Sequence, residues 1–484
     1  MDSPKIINNF IWKISERFGS QIVSFIVSII LTRILEPEAY GKIAILMSFI
    51  GIFAVFCDSG LGNALIQKID SDQNDFSTVF FFNVSLCSLI CLFLFWGAPF
   101  IAFFFNDTEL KFLLQALCFT LPLYGIRNIQ QAYISKRMLF KSFFYSTLLA
   151  TIVSAIVGVS YALSGGGAWA LVSMQLSYQL TDIFVLSLIV PWFPKVFFSI
   201  SRLKKLFSFG GRILLSGVLE SIYSSLRSLI IGKFYSQESL AFYSKGRSIP
   251  DLIGVNINSS IESVMFPVLS NNQNNIDTLK KLTKKTIKLS SLAMFPCLMG
   301  LIGVADSLIV ILFGQKWVDS IPYLRLFCLY FILFPFHTAN LNVIKSLGRS
   351  DIILNQELLK KIMGVLLLLI SFRFGVMALT ISLVIEGIIS QIINTWPNKK
   401  LIDYGYKEQI IDVFPIFVIS FVMSVIVYFC HYLPINLYIR FLVQILIGGI
   451  FYLVGVRFAD KVFFNFVIEY LLCHFRMKKK NGDY

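Results

Sequence analysis

Positively charged side chains inside long apolar stretches are the residues of this sequence most able to do chemistry. Arg127 and Arg227 lie deep in two such stretches, Lys245 and Arg247 lie in a third, and Arg33 ends the first one. A cation in hydrocarbon is costly unless water, a counter-ion or an anionic ligand reaches it. Guanidinium groups match the geometry of phosphate oxygens. We therefore interpret these five residues as candidates for binding an anionic substrate, with Arg227, Arg127 and Arg247 foremost.

Four acidic residues in the same kind of surroundings form a second candidate set. Asp58, Glu220, Glu262 and Glu386 all fall within or at the ends of apolar stretches. Such carboxylates serve as counter-ions or as protonation sites, so we expect coupling to a proton or sodium gradient or to the membrane potential. Glu220 and Arg227 are seven residues apart and share one helical face, which leaves a structural ion pair as the alternative.

Purely structural readings stay open for several of these residues. Arg33 could extend its charged end to a membrane interface along an apolar stem. Asp58 could instead orient the Ser-Gly-Leu-Gly break that begins at residue 59. The eight cysteines include no Cys-x-x-Cys pair, so we expect neither a metal site nor a cofactor.

Composition shows what must position these residues. Hydrophobic residues make up 56% of the 484 and charged residues only 14%, far fewer than the roughly 25% of a soluble domain. Apolar runs of about 20 residues recur along the chain, and a helix of that length crosses a bilayer core. We predict an all-α integral membrane protein of about 14 transmembrane helices. The predicted spans are 10–32, 40–62, 78–104, 111–134, 143–163, 168–190, 208–232, 241–266, 288–313, 320–346, 350–371, 375–396, 411–431 and 438–456.

Lysine and arginine alternate from one loop to the next. Loops such as 271–288 and 195–205 are rich in them, whereas 164–167 and 432–437 contain none. Positive residues collect on the cytoplasmic side, which predicts that both termini are cytoplasmic. The net charge of +15 records this rule and does not indicate nucleic acid as a partner. We expect residues 457–484 to form a basic amphipathic tail at the cytoplasmic surface.

Two segments of the sequence repeat in order. Residues 31–42 align with 231–242, so that Arg33 matches Lys233, and residues 113–118 align with 323–328. The second offset places Arg127 opposite His337. We predict two pseudo-symmetric six-helix lobes, 1–200 and 201–400, followed by two additional helices over 401–456. Transporters built from such repeats bind substrate where the halves meet.

The same segments resemble a known family. The stretches LTRILEPEAYG at 31–41, DSGLGNALIQ at 58–67, IIGKF at 230–234 and YSKGR at 243–247, with GQKW at 314–317 and GRSD at 348–351, are similar to the Wzx-type polysaccharide flippases. These belong to the multidrug/oligosaccharidyl-lipid/polysaccharide exporter superfamily. The resemblance covers about residues 8–400; the last two spans match in hydropathy only.

This resemblance implies a function. It implies movement of an undecaprenyl-diphosphate-linked oligosaccharide to the outer leaflet of the bacterial cytoplasmic membrane, with a central cavity between two lobes. The implied partners are the lipid-linked oligosaccharide, the membrane, and a polysaccharide polymerase with its chain-length proteins. Two alternatives stay open: a drug or cation exporter of the same superfamily, and a membrane glycosyltransferase or polymerase. The sequence contains no phosphate-binding loop, nucleophile elbow or His-Glu-x-x-His motif, so we expect no enzyme.

The charge alternation makes a topology prediction. In a chain stripped of its native cysteines, single cysteines introduced at 164–167 and 432–437 should react with an impermeant thiol reagent in intact cells. A cysteine within 271–288 should react only after the cells are opened. Labelling of the 271–288 cysteine in intact cells would contradict the orientation.

Overall fold

The computed structural model describes residues 3–58, 60–190 and 192–459. Nearly all of this part of the chain is helical. The helices are α1 Ser3–Ile34, α2 Pro37–Asp58, α3 Leu61–Gln67, α4 Gln73–Phe105, α5 Glu109–Leu117, α6 Thr120–Arg137, α7 Phe140–Leu163, α8 Trp169–Ile189, α9 Ile200–Phe234, α10 Gln237–Asn271, α11 Ile276–Leu312, α12 Ile321–Phe331, α13 Phe334–Ser346, α14 Ser350–Ser371, α15 Val376–Leu401, α16 Tyr406–Phe429 and α17 Leu437–Ala459.

The predicted fold class is confirmed. Within the described ranges, 12 helical segments are long and apolar enough to cross a membrane. Two further predicted spans correspond to α1, whose shorter apolar part is Gly19–Ile34, and to α14. The latter contains Glu357, Lys360 and Lys361, and Lys360 donates to Glu357 at 2.5 Å. The predicted tail lies, from residue 460 onward, outside the described residues.

The chain divides into two compact units, residues 1–244 and residues 245–484. The predicted lobes divide at residue 200 instead, because the sequence repeat alone defines them. That division, and the separate status of 401–456, stay predictions.

The aligned segments coincide with matching helix breaks. The helix α1 ends at Ile34 and α2 begins at Pro37, whereas α9 ends at Phe234 and α10 begins at Gln237. The second aligned pair falls in two spans that are each built from two helices, α5 with α6 and α12 with α13. Like sequences therefore produce like breaks in both parts of the chain.

In the first unit, aromatic side chains close the end of the bundle where α3, α4 and α6 meet. The ring of Phe76 lies 5.5 Å from Tyr133 and 6.2 Å from Trp192, both nearly edge to face. Trp192 also donates its indole N–H to the Gln73 side chain at 2.9 Å. Buried rings packed edge to face stabilise a core beyond their burial alone. The link between α8 and α9 is thereby fixed against the bundle.

At the opposite end of the first unit, an ion pair joins α2 to α5, and a hydrogen bond joins the start of α10 to the loop before α5. Lys42 contacts Glu109 at 2.6 Å, and Gln237 donates to Asp107 at 2.8 Å. Burial raises the pKa of Asp107, but hydrogen bonds from Gln237 and from the Glu109 backbone N–H, with the charge of Lys42, outweigh it, and the pKa lies below its usual value. A Cβ on Gly41 would lie 1.8 Å from the backbone oxygen of Gln237. Only glycine permits this approach of α2 to the start of α10.

In the second unit, a buried amide network joins α13, α15 and α16. Asn340 donates to Gln409 at 2.9 Å, and Asn398 and Gln409 both donate back to the Asn340 side chain, at 2.7 and 2.9 Å. All three side chains are fully buried. Amides that are fully buried in a helix bundle are stable only if their donors and acceptors meet one another.

The network predicts a large effect of a single substitution. Asn340→Leu removes the donor to Gln409 Oε1 and one acceptor from both Gln409 and Asn398, which keep their bonds to the backbone oxygens of Tyr404 and residue 340. The orphaned Gln409 oxygen should cost about 1–3 kcal/mol. We expect a clearly lower melting temperature of the purified protein in detergent. Asn272→Ala, which removes a half-buried asparagine whose side chain donates to the Val268 carbonyl of α10, is the control and should change the melting temperature little. Equal melting temperatures for both variants would contradict the importance of the network.

Candidate functional site

A cavity of about 540 Å³ lies within the first unit and is the candidate site. Five helices enclose it: α1, the start of α2, α6, α7 and α8. Its lining residues are Ser20, Gln21, Ser24, Val27, Ser28, Leu31, Tyr40, Tyr124, Arg127, Thr147, Thr151, Ser154, Leu171, Met174, Gln175, Tyr178 and Gln179. Its volume falls within the range of about 300–1,000 Å³ that is usual for small-molecule sites.

Helical periodicity explains why the wall is polar. On α7, Thr147, Thr151 and Ser154 recur at intervals of four and three residues, so they share one face. On α1, Ser20, Ser24 and Ser28 do the same. The faces that point away from the cavity carry large exposed apolar residues, such as Ile22 and Ile26 on α1, as lipid requires. The polar stripes therefore turn inward.

The helices α7 and α8 approach closely because of one glycine. A Cβ on Gly158 would lie 3.0 Å from the side chain of Met174. A larger residue here would push α8 away from α7. This close packing brings the hydroxyl stripe of α7 opposite Gln175 and Gln179 of α8, and so defines the width of the cavity.

Arg127 is the charged residue of the cavity wall, and it has a partner. Its Nε donates to the carboxylate of Asp182, and one terminal nitrogen lies 3.4 Å from the hydroxyl of Tyr178. The guanidinium also lies over the Tyr178 ring, 5.6 Å from its centre. Asp182 is only 1% exposed, and the Arg127 side chain is 20% exposed. Their mutual attraction stabilises the pair, and removal of either member leaves an uncompensated charge.

A second, smaller cavity of about 190 Å³ meets the same arginine. It is lined by Ala54, Cys57, Tyr124, Arg127, Asn128 and Gln131. Tyr124 and Arg127 line both cavities, so α6 presents this pair of residues to two separate spaces. Gln175 donates to the Tyr124 hydroxyl at 3.3 Å, which ties the shared wall to α8.

Two buried acceptor atoms near the larger cavity have no hydrogen-bond donor in the described part of the chain. They are Oε1 of Gln179 and Oδ1 of Asp182. Gln179 lines the cavity and is 1% exposed. The two residues are three apart on α8 and therefore neighbours on its surface. Buried oxygen atoms of this kind normally accept a hydrogen bond, so we expect a bound molecule to donate one here.

The other predicted residues of the first unit lie elsewhere. Arg227 is 6% exposed on α9, whereas Glu220 on the same helix is exposed. Arg33 is exposed at the end of α1. The side chain of Asp58 lies outside the described residues. Of the predicted cations, the cavity lining contains Arg127.

The predicted residues of the second unit have local partners. Lys245 is buried, with its nitrogen 4.5 Å from the Phe313 ring centre and 5.8 Å from that of Trp317. Arg247 contacts Asp251 at 3.7 Å.

Two acidic residues complete that set. Glu262 accepts from Lys345 at 3.0 Å, as a counter-ion would. Glu386 is half-buried on α15. The predicted meeting of Arg227, Arg127 and Arg247 at one substrate stays a prediction.

Sequence reasoning missed Asp182 and Gln179. A signal was available, because Asp182 is the one charged residue of the stretch 169–189, and a lone acid in an apolar span usually has a partner. Gln179 gives no such signal. Its importance follows from burial and from an absent donor, which only the structure reveals.

Comparison with known proteins places the chain in a polysaccharide biosynthesis family. The family described as "Polysaccharide biosynthesis protein" matches residues 30–322. The teichuronic acid biosynthesis protein TuaB of Bacillus subtilis (strain 168) is 29% identical over 314 residues, 62% of this chain and 63% of that protein. The lipopolysaccharide biosynthesis protein WzxC of Escherichia coli (strain K12) is 21% identical over 413 residues, 82% of both chains. The chain thus spans less than two thirds of TuaB.

A solved structure shares the fold. The lipid II flippase MurJ, in an inward closed conformation, superposes with a TM-score of 0.76 over 93% of this chain and 99% of that one. The sequences are 16% identical, so the likeness concerns the fold.

The buried ion pair predicts a double-mutant pattern. Arg127→Leu or Asp182→Leu alone should destabilise the protein by about 3–5 kcal/mol, because a lone charge stays buried. The double Leu variant should recover most of this loss, as measured by membrane abundance and melting temperature. The exposed pair Arg247 and Asp251 is the control, where each Leu change should cost about 0–1 kcal/mol. A double variant no more stable than the singles would show that the pair is not the cause.

Proposed function

We propose that this chain, which belongs to the polysaccharide biosynthesis protein family, moves a lipid-linked oligosaccharide from the inner to the outer leaflet of a bacterial cytoplasmic membrane. The family model matches more than half of the chain, and the described part contains 12 helices able to cross a membrane. Relatives named for teichuronic acid and lipopolysaccharide biosynthesis support the class of substrate. The carrier lipid is an undecaprenyl diphosphate, as the sequence resemblance implies.

The observation that carries the proposal is the polar cavity inside a membrane-embedded helix bundle. A sugar head group cannot cross hydrocarbon unaided, because its hydroxyls would lose their hydrogen bonds to water. Serine, threonine, glutamine and tyrosine side chains around about 540 Å³ of space replace those bonds. The acyl chain needs no such path, since lipid already solvates it.

A transporter rather than an enzyme fits the residues of this cavity. Its lining holds hydroxyls, amides and one arginine, and that arginine is engaged by Asp182. General acid–base chemistry needs a titratable group free to exchange its proton with the substrate. A membrane glycosyltransferase, the alternative from another class, would need such a group.

A drug or cation exporter is the alternative within the superfamily. A site for an organic cation within a membrane usually supplies an opposing negative charge. The carboxylate of Asp182 is neutralised by Arg127, so the wall of this cavity carries no net charge from that pair. This balance favours an uncharged polar ligand over a cation.

Orientation, coupling and partners belong to the proposal as well. We propose that both termini are cytoplasmic, on the charge alternation of the loops. Movement against a gradient would be driven by protons, sodium ions or the membrane potential. A polysaccharide polymerase and chain-length proteins are the expected recipients of the flipped lipid.

Reconstitution tests the function directly. Liposomes containing the purified chain and a fluorescent undecaprenyl-diphosphate-linked oligosaccharide are treated with an impermeant glycosidase. With the active chain, the enzyme should consume the lipid of both leaflets; in protein-free liposomes it should stop after the outer pool. Persistence of the inner pool in the presence of folded protein would contradict the proposal.

Two added reagents separate the alternatives in the same vesicles. A nucleotide sugar that lengthened the oligosaccharide would favour a glycosyltransferase. Uptake of a cationic dye in place of lipid movement would favour a drug exporter.

A further inference from the structure

The cavity of the first unit has a donor and acceptor pattern that discriminates between the parts of a lipid-linked oligosaccharide. We infer that this cavity binds the uncharged sugar hydroxyls of the substrate and does not bind its diphosphate. The inference rests on the proposed function, and it names which chemical part of the substrate the cavity takes. Three features of the wall support it.

The first feature is charge. Arg127 is the cation on the wall, and its Nε bonds to Asp182 while its plane lies over Tyr178. A diphosphate carries about two negative charges at neutral pH. Because Asp182 already neutralises Arg127, the pair offers a dianion little net attraction to offset the loss of its hydration. A neutral hydroxyl carries no charge that needs such compensation.

The second feature is the unsatisfied acceptors. Oε1 of Gln179 and Oδ1 of Asp182 are buried and have no donor among the described residues. A diphosphate diester offers only acceptors, so it cannot satisfy either atom. A sugar hydroxyl both donates and accepts. Of the two residues, Gln179 belongs to the cavity lining; it is 1% exposed, so its amide must turn toward the cavity to accept from a ligand.

The third feature is the chemistry of the remaining wall. Thr151 and Ser154 donate their own hydroxyl protons to backbone carbonyls, at 2.6 and 2.9 Å. Their oxygen lone pairs therefore remain available as acceptors toward the cavity. Tyr124 and Tyr178 add aromatic surface for the apolar faces of a sugar ring. The wall is thus rich in acceptors, and it suits a ligand with many donors.

A cation is the rival ligand, because acceptor oxygens also suit sodium ions. The pairing of Asp182 with Arg127 weighs against it, since the carboxylate is already neutralised. The cavity also greatly exceeds the space that a single ion requires. Binding of a sodium ion in this cavity in place of sugar would therefore overturn the inference.

Binding of two lipids to the full chain in nanodiscs tests the inference. The probes are the lipid-linked oligosaccharide that the wild-type chain flips and sugar-free undecaprenyl diphosphate, measured by native mass spectrometry. Gln179→Leu should weaken binding of the oligosaccharide lipid about five- to tenfold, the worth of one good hydrogen bond. It should leave the binding of undecaprenyl diphosphate unchanged. Thr151→Val, which keeps the shape and removes one acceptor, should act in the same selective way if Gln179→Leu folds poorly.

Gln130→Leu is the matched control. Gln130 is a buried glutamine of α6 that donates to Ser187 at 2.9 Å and does not belong to the cavity lining. This variant should not change the ratio of the two affinities. A selective effect of Gln130→Leu would overturn the inference.

Three further results would also overturn it. The first is that Gln179→Leu weakens the binding of both lipids equally. The second is that both Gln179→Leu and Thr151→Val leave the binding of both lipids unchanged. The third is that Gln179→Leu abolishes sodium binding and leaves binding of the oligosaccharide lipid unchanged. A wild-type chain that neither binds nor flips the oligosaccharide lipid would refute the proposed function itself. That outcome is visible before any variant is made.

Discussion

The Arg127–Asp182 ion pair is the interaction on which the first unit depends. A membrane core offers no water, so a charge within it must be matched by another charge or by a dense set of hydrogen bonds. The pair joins α6 to α8 through the wall of the cavity, and Tyr178 covers the guanidinium. It thereby makes a polar space possible inside an apolar bundle. The pair also leaves the cavity wall without net charge, which favours an uncharged polar ligand.

In the second unit, the corresponding helices are joined by a hydrogen bond between two side chains. His337 of α13 meets Asn394 of α15 at 2.6 Å, close to the amide network around Asn340. In the chain, one helix, α14, separates α13 from α15, just as α7 separates α6 from α8. The repeat offset of 210 also relates Arg127 to His337. Both parts of the chain thus contain a polar contact between a span built from two helices and the second helix after that span. This contact is an ion pair in the first part and a hydrogen bond in the second.

Much of the fold could be predicted from the sequence because lipid imposes a simple rule. Apolar runs long enough to cross a bilayer must be helices, and they are: each predicted span corresponds to a helix or a broken helix of the described chain. The predicted spans that end at residues 32 and 232 match α1 and α9, which end at Ile34 and Phe234. The site could not be predicted in this way. Periodicity places Thr147, Thr151 and Ser154 on one face, but it does not say which helix faces them, nor that Arg127 meets Asp182, 55 residues away.

The charge of the cavity wall is balanced by the Arg127–Asp182 pair, and we propose that the space beside this pair binds sugar. The most direct measurement is an electron cryomicroscopy structure of the chain in nanodiscs with its lipid-linked oligosaccharide bound. We expect sugar density against Gln179 and the α7 hydroxyls, with the bond between Arg127 and Asp182 intact. Diphosphate density on Arg127, with the Asp182 carboxylate displaced, would contradict it.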